Sequence, residues 1–244
     1  MRLPGAAADK RRAFSMATLL LTAPLDVFEQ MALDETLAHS APAEPILRFY
    51  HWKPGPAVTF GYGQFYDFVR RGAPDGSGPL CRRPTGGGMV FHGEDLTFSL
   101  MFSTDKSPKE IYALLHEAVR SALAREHAVF AYGQQAVSAA AYAPQRNGAA
   151  SACFVSPVEN DLLAEGKKIL GGAIRRFGKT ALYQGSLQYP GARENPAFRR
   201  AVKNAVQEML GACFVPTVLD RQRLASARKL AEEQYRTDGW NHKF

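Results

Sequence analysis

Residues 82–93 read Arg-Arg-Pro-Thr-Gly-Gly-Gly-Met-Val-Phe-His-Gly and are the stretch from which the fold is most readily predicted. Three consecutive glycines, Gly86, Gly87 and Gly88, stand between two runs of strand-like composition. Glycines inside a strand pattern mark either a bulge or tight bend, or a place where a ligand lies against bare backbone. The two arginines before them favour an anionic or carbonyl-bearing ligand. The stretch therefore predicts a sheet whose strands carry a binding loop, with a tight bend as the structural alternative.

A second glycine-containing stretch, residues 166–176, reads Gly-Lys-Lys-Ile-Leu-Gly-Gly-Ala-Ile-Arg-Arg. Lys168 begins a predicted strand that leads into Gly171 and Gly172, so its ammonium can point into a cavity that the glycines keep open. Taken alone, Lys167 and Lys168 also fit an ordinary solvated turn. The residues by themselves leave both interpretations open.

The rest of the chain alternates strand patterns with amphipathic helices. The clearest helix is predicted over 108–126, because Ser107 and Glu110 form a capping box and Pro108 occupies the first helical position. Other helices are predicted over 25–39, 196–210 and 220–235. Strands are predicted over 17–22, 46–52, 57–62, 160–164, 168–176 and 182–189, and residues 80–102 are predicted to form a hairpin whose second strand is 96–102. This order, with no regular βαβ period, predicts an α+β domain on a largely antiparallel sheet.

Length and composition exclude several classes of protein. The chain has 244 residues, 46% of them hydrophobic, so it can bury a large core without disulfides. Three scattered cysteines, Cys81, Cys153 and Cys213, argue against a secreted disulfide framework and favour a reducing cytoplasm. A formal net charge of +7 indicates an acidic partner, either protein, membrane or nucleic acid.

We expect a single domain over residues 16–244 and a disordered basic tail over residues 1–15. The tail contains Lys10, Arg11 and Arg12 and only one acidic residue, so a targeting segment is the alternative. No segment reaches the length of a membrane span, and we expect no association with membranes.

Two motifs resemble known nucleotide-binding or phosphate-binding sites but do not match them, and no metal-site motif is found. Gly61-Tyr62-Gly63 begins a dinucleotide fingerprint, but Tyr66 stands where the third glycine is required. Residues 172–180 end like a phosphate-binding loop, but the first glycine is one position too early. The six histidines form no zinc-type spacing with cysteine or acidic residues, so no metal site is predicted.

The chain contains a series of short sequence landmarks that resemble those of the biotin/lipoate protein ligase catalytic domain and occur in the same order. The resemblance is to the branch of lipoate-protein ligases and octanoyltransferases. These landmarks, in chain order, are Met31 to Glu35, Leu47 to Tyr50 with Trp52, Arg82 to Gly88, Phe91-His92, Asp95 to Ser99, Asn160-Asp161, Gly166 to Ile169, Gln184 to Ser186, and Tyr235 to Asn241.

The resemblance implies a mixed sheet flanked by helices, a tunnel for a medium-length acyl chain, and contact between Lys168 and the acyl carbonyl. It also implies a set of substrate-binding residues, namely Arg48, Arg83, Thr85, Gly86, Gly87, Gly88, His92, Asn160, Asp161, Gly171, Gly172, Ala173 and Gly185.

Within the branch, the segment around Cys153 is similar to the one that bears the nucleophile in a class of bacterial octanoyltransferases. The resemblance implies that octanoyl-acyl carrier protein is the donor. The acceptor is then the lipoyl domain of a 2-oxoacid dehydrogenase subunit or the glycine cleavage H protein, and no cofactor is required. A small buried residue is the alternative role for Cys153, and it is the expected role of Cys81 and Cys213.

Two alternatives remain from the sequence. An ATP-dependent lipoate-protein ligase would act through lipoyl-AMP with ATP and Mg²⁺, although the chain ends after Trp240-Asn241, where the family's catalytic domain ends and an accessory domain would follow. A catalytically silent module that binds carrier protein or nucleic acid is the non-enzymatic alternative. Three departures from the family pattern leave the exact substrate open, namely Gly93 after the histidine, Tyr183 before Gln184, and the run Gly172-Ala173-Ile174-Arg175.

Overall fold

The computed structural model describes residues 15–126, 137–138 and 159–244. Residues 1–14 of the predicted tail and Cys153 lie outside this description, whereas Ser15 already belongs to the first strand. The helices and strands, numbered in chain order, are β1 (Ser15–Leu21), α1 (Val27–His39), β2 (Ile46–Phe49), β3 (Ala57–Phe60), α2 (Tyr66–Gly72), β4 (Leu80–Arg82), β5 (Val90–His92), β6 (Leu96–Ser103), α3 (Pro108–Glu126), β7 (Val137–Ser138), β8 (Leu162–Ala164), β9 (Lys167–Phe177), β10 (Thr180–Leu187), α4 (Pro196–Leu210), β11 (Ala212–Val218), α5 (Arg221–Leu230), a π-helical turn (Ala231–Tyr235) and α6 (Asp238–Asn241).

Eight strands form one mixed sheet in the order β11-β1-β2-β6-β10-β9-β8-β7. The first three strands are mutually parallel, and every pairing from β2 onward is antiparallel. The prediction of a largely antiparallel mixed sheet is confirmed. In the centre of the sheet the register sets Gly185 of β10 between Phe98 of β6 and Gly172 of β9.

Strands β4, β3 and β5 form a separate small sheet. The predicted hairpin over residues 80–102 is therefore wrong: β4 pairs in parallel with β3, β5 pairs antiparallel with β3, and β6 joins the large sheet. The glycine-rich residues between β4 and β5 do not close a tight turn. They cross past the end of β3, where the backbone N–H of Tyr62 donates to the carbonyl of Thr85.

Helices cover both faces of the large sheet. Helices α3 and α4 pack over a core that includes Leu47, Phe98 and Tyr183, and α1 and α5 pack over one that includes Ile46 and Leu182. These residues alternate along β2 and β10, as expected for a sheet with two buried faces.

The helix predictions held, because their signals are local. Asp26 caps α1 in a capping box with Glu29, and Ser107 and Glu110 make the reciprocal bonds expected at the start of α3. Five of the described elements had not been predicted separately, namely α2, β5, β7, β11 and α6. None of the helices in the described ranges is long and apolar enough to cross a bilayer.

Candidate active site

A narrow cavity of about 30 Å³ lies between the small sheet and the centre of the large sheet. Its walls come from α1, both sheets and the segments beside them, and consist of Met31, Tyr50, Thr59, Arg83, Val90, His92, Thr97, Gly171, Gly172, Ala173, Gln184, Gly185 and Ser186. Six of the predicted substrate-binding residues are therefore in this wall.

A wider cavity of about 380 Å³ adjoins the narrow one, because Gly172 and Ala173 line both. We call these the inner and outer cavities. The outer cavity is bounded by Gly86, Gly87, Pro108, Lys109, Tyr112, Glu159, Asn160, Gly172, Ala173 and Ile174. The two glycine stretches singled out in the sequence thus both contribute to the wall of one cavity.

The loop that carries Gly87 depends on a glycine outside it. A Cβ on Gly61 would lie 1.8 Å from the Gly87 carbonyl oxygen, so the backbone of residues 86–87 packs directly against Gly61. Gly87 itself has φ +90°, in the region that favours glycine. Gly61, the first residue of the rejected nucleotide motif, therefore supports the predicted binding loop.

Tyr183 explains the glycines in the sheet. A Cβ on Gly172 or Gly185 would lie within 2.4 Å and 2.6 Å, respectively, of atoms of the Tyr183 ring. The ring lies flat across both glycines on the α3 face of the sheet, while their backbones border the cavity. Any larger residue at either position would displace Tyr183.

Lys168 is buried and ion-paired with Asp161, with 2.8 Å between Nζ and Oδ2. This burial shows that the solvated-turn interpretation is wrong. Lys168 is not among the described wall residues of either cavity. Asp161 also accepts a hydrogen bond from the Tyr112 hydroxyl. The same hydroxyl accepts a bond from the Gly172 N–H at 3.1 Å, and Tyr112 is one of the residues that line the outer cavity.

His116 forms a hydrogen bond with Asn160, the residue that precedes Asp161. Its Nδ1 is 2.9 Å from the Asn160 carbonyl oxygen, and Nε2 is 2.7 Å from the Tyr183 hydroxyl. Burial, together with the charge of Lys168, lowers the pKa of His116 from 6.5 to about 3, so the ring is neutral. Because a carbonyl can only accept, the proton is on Nδ1, and Nε2 accepts from Tyr183. Asn160 is thereby held at φ +70°, uncommon for a non-glycine residue.

A buried polar cluster around Asp34 supports the wall from the α1 side. Asp34 pairs with Arg48 and accepts hydrogen bonds from Tyr50, Ser99 (2.8 Å) and Gln184 (2.8 Å). The amide oxygen of Gln184 in turn accepts from Thr85 at 2.7 Å. Arg48 therefore lies behind the wall, where it orients Tyr50 and Gln184 through Asp34.

A hydrogen-bonded group that includes His92, Thr97 and Ser186 forms part of the inner-cavity wall. His92 stacks on Trp52, with 4.6 Å between ring centroids, and its two nitrogens contact Thr59 and Asp95. Burial by itself would raise the pKa of Asp95, but His92 and the hydroxyls of Thr97 and Ser186 outweigh it and lower the pKa from 3.8 to about 2.

The remaining predicted residues take different places. Arg83 bonds to the Gly86 carbonyl and lines the inner cavity, whereas Gly88 is half-buried and lines neither cavity. The neighbouring Arg82 is buried and donates to four backbone carbonyls, those of Tyr62, Gln64, Trp240 and Asn241, which ties the C-terminal residues to the small sheet.

The two described cysteines differ. Cys81 is fully buried, and burial raises the pKa of its thiol well above 9.0, so it is unsuited to act as a nucleophile. Cys213 is exposed on β11, so the expectation that it is buried is wrong. Cys153 lies outside the described residues. No group of three His, Cys, Asp or Glu side chains in the described ranges is arranged to hold a metal ion.

Tyr112 and His116 were missed in the sequence. They are four residues apart on α3, so they lie on one face of the helix, with ring centroids 3.9 Å apart. A polar pair beside the apolar stripe of Ile111, Leu115 and Val119 was the available signal.

The chain matches a model of the lipoyl protein ligase A/B catalytic domain over residues 26–238. It is 33% identical over 176 residues to a protein named octanoyltransferase LipM from Oceanobacillus iheyensis, covering 67% of this chain and 60% of that relative's length. It is 30% identical over 229 residues to the octanoyltransferase LipM of Kyrpidia tusciae, covering 83% and 81%, respectively.

Among solved structures, the fold is similar to that of a lipoate-protein ligase A bound with ATP, with a TM-score of 0.69 and 24% identity. The superposition covers 94% of this chain and 99% of that one.

Proposed function

The chain belongs to the lipoyl protein ligase A/B catalytic-domain family, and we propose that it is an acyltransferase of protein lipoylation. In this proposal it moves an octanoyl or lipoyl group from acyl carrier protein to a lysine of a lipoyl carrier domain, through a thioester on Cys153. The similarity to proteins named octanoyltransferase supports octanoyl as the acyl group.

The observation that carries this proposal is the pair of adjoining cavities, which share Gly172 and Ala173 in their walls. An extended acyl chain needs a narrow slot in which backbone approaches closely, and the inner cavity is walled by Gly171, Gly172 and Gly185. Met31 is also in that wall, and its flexible side chain can adapt to a bound acyl chain. The reacting carbonyl would then lie in the outer cavity, between Gly86-Gly87 and Tyr112.

Chain length supports Cys153 as the nucleophile. Glu159, which lines the outer cavity, is six residues from Cys153 in sequence. An extended backbone spans about 3.4 Å per residue, so Cys153 lies within about 20 Å of chain from this wall. Neither described cysteine competes for the role, because Cys81 is buried away from solvent and Cys213 is on the β11 edge of the sheet.

The proposed reaction has two acyl-transfer steps. The Cys153 thiolate attacks the donor thioester carbonyl, the acyl–enzyme bond forms, and the carrier's pantetheine leaves as a thiolate. The acceptor lysine amine then attacks the acyl-enzyme, the amide forms, the amine loses a proton, and the Cys153 thiolate is released. Backbone N–H groups of Gly86 and Gly87 would stabilise the oxyanion, since that of Gly172 is already bonded to Tyr112.

The two described groups beside this chemistry have supporting roles in the proposal. Lys168 would contact the acyl carbonyl or the thiolate, with its position set by Asp161. Tyr112 would keep the Asp161 carboxylate turned toward Lys168.

Mass spectrometry of the protein incubated with octanoyl-acyl carrier protein tests the proposal. We expect one octanoyl adduct that is lost in Cys153→Ala and retained in Cys213→Ala, the matched control with an exposed thiol. An adduct that persists in Cys153→Ala would overturn the nucleophile. Modification of a lipoyl domain that requires free lipoate and ATP, with release of pyrophosphate, would assign the chain to the ligases instead.

A further inference from the structure

His116 is a buried histidine to which the proposed reaction assigns no role. Its side chain on α3 is almost completely removed from solvent, and both ring nitrogens are hydrogen-bonded. Burying a polar ring is costly unless its polar atoms are paired, so the partners of the two nitrogens account for its presence. These partners lie in different parts of the molecule, and they indicate what the ring does.

The bond from Nδ1 reaches one peptide group. The Asn160 carbonyl, which accepts this bond at 2.9 Å, belongs to the peptide that joins Asn160 to Asp161. Because a peptide group is planar, holding its oxygen restricts the nitrogen and the Cα of Asp161 as well. Asn160 has φ +70°, a conformation that a non-glycine residue keeps only where its surroundings hold it. His116 supplies one of the contacts that hold it.

Helix α3 thus contacts Asp161 at two points. Tyr112, which precedes His116 by four residues and stacks on its ring, donates to the Asp161 carboxylate. His116 binds the peptide on the N-terminal side of the same residue. The Oδ2 atom of this carboxylate is 2.8 Å from Nζ of Lys168. A shift of the Asp161 backbone would therefore move the counter-charge of Lys168.

The bond at Nε2 leads away from Lys168. The Tyr183 hydroxyl on β10 donates to this nitrogen at 2.7 Å, and the Tyr183 ring covers Gly172 and Gly185. Accepting at Nε2 keeps the proton of the neutral ring on Nδ1, where it is donated to Asn160. One ring therefore has a bond toward Asp161 and a separate bond toward the sheet, and the two can be removed independently.

We propose that His116 is a positioning residue of the transfer reaction, which acts through the Asn160–Asp161 peptide on Lys168 and on the wall of the outer cavity at Asn160. This inference rests on the proposed function, in which Lys168 contacts the acyl carbonyl or the thiolate. A displacement of about 1 Å at a reacting centre can cost about a hundredfold in rate. A histidine that touches no substrate can therefore control the rate through this one peptide.

Two substitutions of His116 separate its two bonds. The side-chain amide of asparagine has the reach of Nδ1, so His116→Asn keeps a donor for the Asn160 carbonyl and loses the bond with Tyr183. The amide of glutamine has the reach of Nε2, so His116→Gln keeps an acceptor for the Tyr183 hydroxyl and loses the bond with Asn160. Tyr183→Phe retains the ring and loses the same bond as His116→Asn. Glu117→Asn, at the next and exposed position of α3, is the control for helix propensity.

Steady-state rates of octanoyl transfer to a lipoyl domain test the proposal. We expect kcat to fall about tenfold or more in His116→Gln and to stay within about threefold of the wild-type value in His116→Asn and Tyr183→Phe. The KM for octanoyl-acyl carrier protein should change little, because His116 is not among the described wall residues of either cavity. Glu117→Asn should match the wild type. Equal losses of kcat in the two His116 variants, or a retained kcat in His116→Gln, would overturn the proposal.

Hydrogen–deuterium exchange gives a readout that does not depend on activity. Peptides that cover residues 159–170 should exchange faster in His116→Gln than in the wild type, and no faster in His116→Asn. Equal exchange in the two variants would show that the bond to Asn160 does not hold this segment, and the positioning role would be wrong.

The same variants distinguish this inference from the proposed function. If the wild-type protein modifies the lipoyl domain only with free lipoate and ATP, the proposed function is wrong. The comparison of His116→Gln with His116→Asn, made in that reaction, then tests the positioning role by the same difference in kcat.

Discussion

Lys168 and Asp161 form a buried ion pair at the start of β9, with both side chains almost completely removed from solvent. A buried charge that loses its partner keeps its desolvation cost, so the pair is far more sensitive to truncation than a surface ion pair.

Replacing the carboxylate leaves Lys168 without its counter-charge. We expect Asp161→Asn to lower the free energy of unfolding by about 3–5 kcal/mol and to abolish measurable acyl transfer. Urea unfolding and steady-state transfer assays measure the two effects. Glu208→Gln, which breaks the exposed pair with Arg125, should cost less than about 1 kcal/mol. Equal costs in the two variants would show that the buried pair has no special role.

Tyr112 connects this pair to the cavity. Tyr112→Phe keeps the ring but removes the hydroxyl that donates to Asp161 and accepts from the Gly172 N–H. We expect kcat to fall at least tenfold with little change in KM, and stability to fall by about 1–3 kcal/mol, because a buried N–H loses its partner. Tyr66→Phe is the control, since no described residue bonds to that hydroxyl. A stability loss with kcat unchanged would leave Tyr112 only a structural role.

The glycine loop requires Gly61. In Gly61→Ala the new methyl group would meet the Gly87 carbonyl at 1.8 Å, so the loop must move away from the cavity. We expect a loss of about 1–3 kcal/mol in stability, typical of overpacking, and a marked rise in the KM for the acyl donor. Gly63→Ala is a close control, because nothing lies within 4 Å of its Cβ position. Similar behaviour of the two variants would contradict the packing role.

His116 makes stability depend on pH. Its pKa is lowered from 6.5 to about 3 in the folded protein, so between these values the unfolded chain binds a proton that the folded chain does not. The free energy of unfolding must therefore fall as pH falls below 6.5, by about 2 kcal/mol between pH 7.5 and pH 5 from this group alone. Urea titrations at the two pH values measure the difference. His116→Gln should remove most of it, whereas His39→Gln, at an exposed position, should not.

Much of the fold was predictable because its signals are local. Ser107, Pro108 and Glu110 lie within one helical turn and specify the start of α3 whatever packs against it. The antiparallel strands β9 and β10 adjoin in sequence, so their pairing closes only a short turn. The resemblance to the family supplied the rest of the fold prediction, because the landmarks of the family occur in the same order in this chain.

Strand β11 was missed for the opposite reason. Its partner β1 is at the other end of the chain, and five of its seven residues are exposed, so no apolar alternation marks it. The prediction of a hairpin over 80–102 was wrong for a similar reason. Strands β4 and β5 both pair with β3, which lies outside the predicted hairpin.

The sequence by itself determined the local elements, the two glycine stretches, the family and the candidate nucleophile, because each depends on residues adjacent along the chain or on their order. Only the tertiary structure decided that Gly86-Gly87 and Gly172 bound one cavity, that Gly61 supports the loop, and that Lys168 pairs with Asp161 under Tyr112 and His116. These contacts join residues that are far apart in sequence, and burial and charge at such contacts exist only after the sheets have packed.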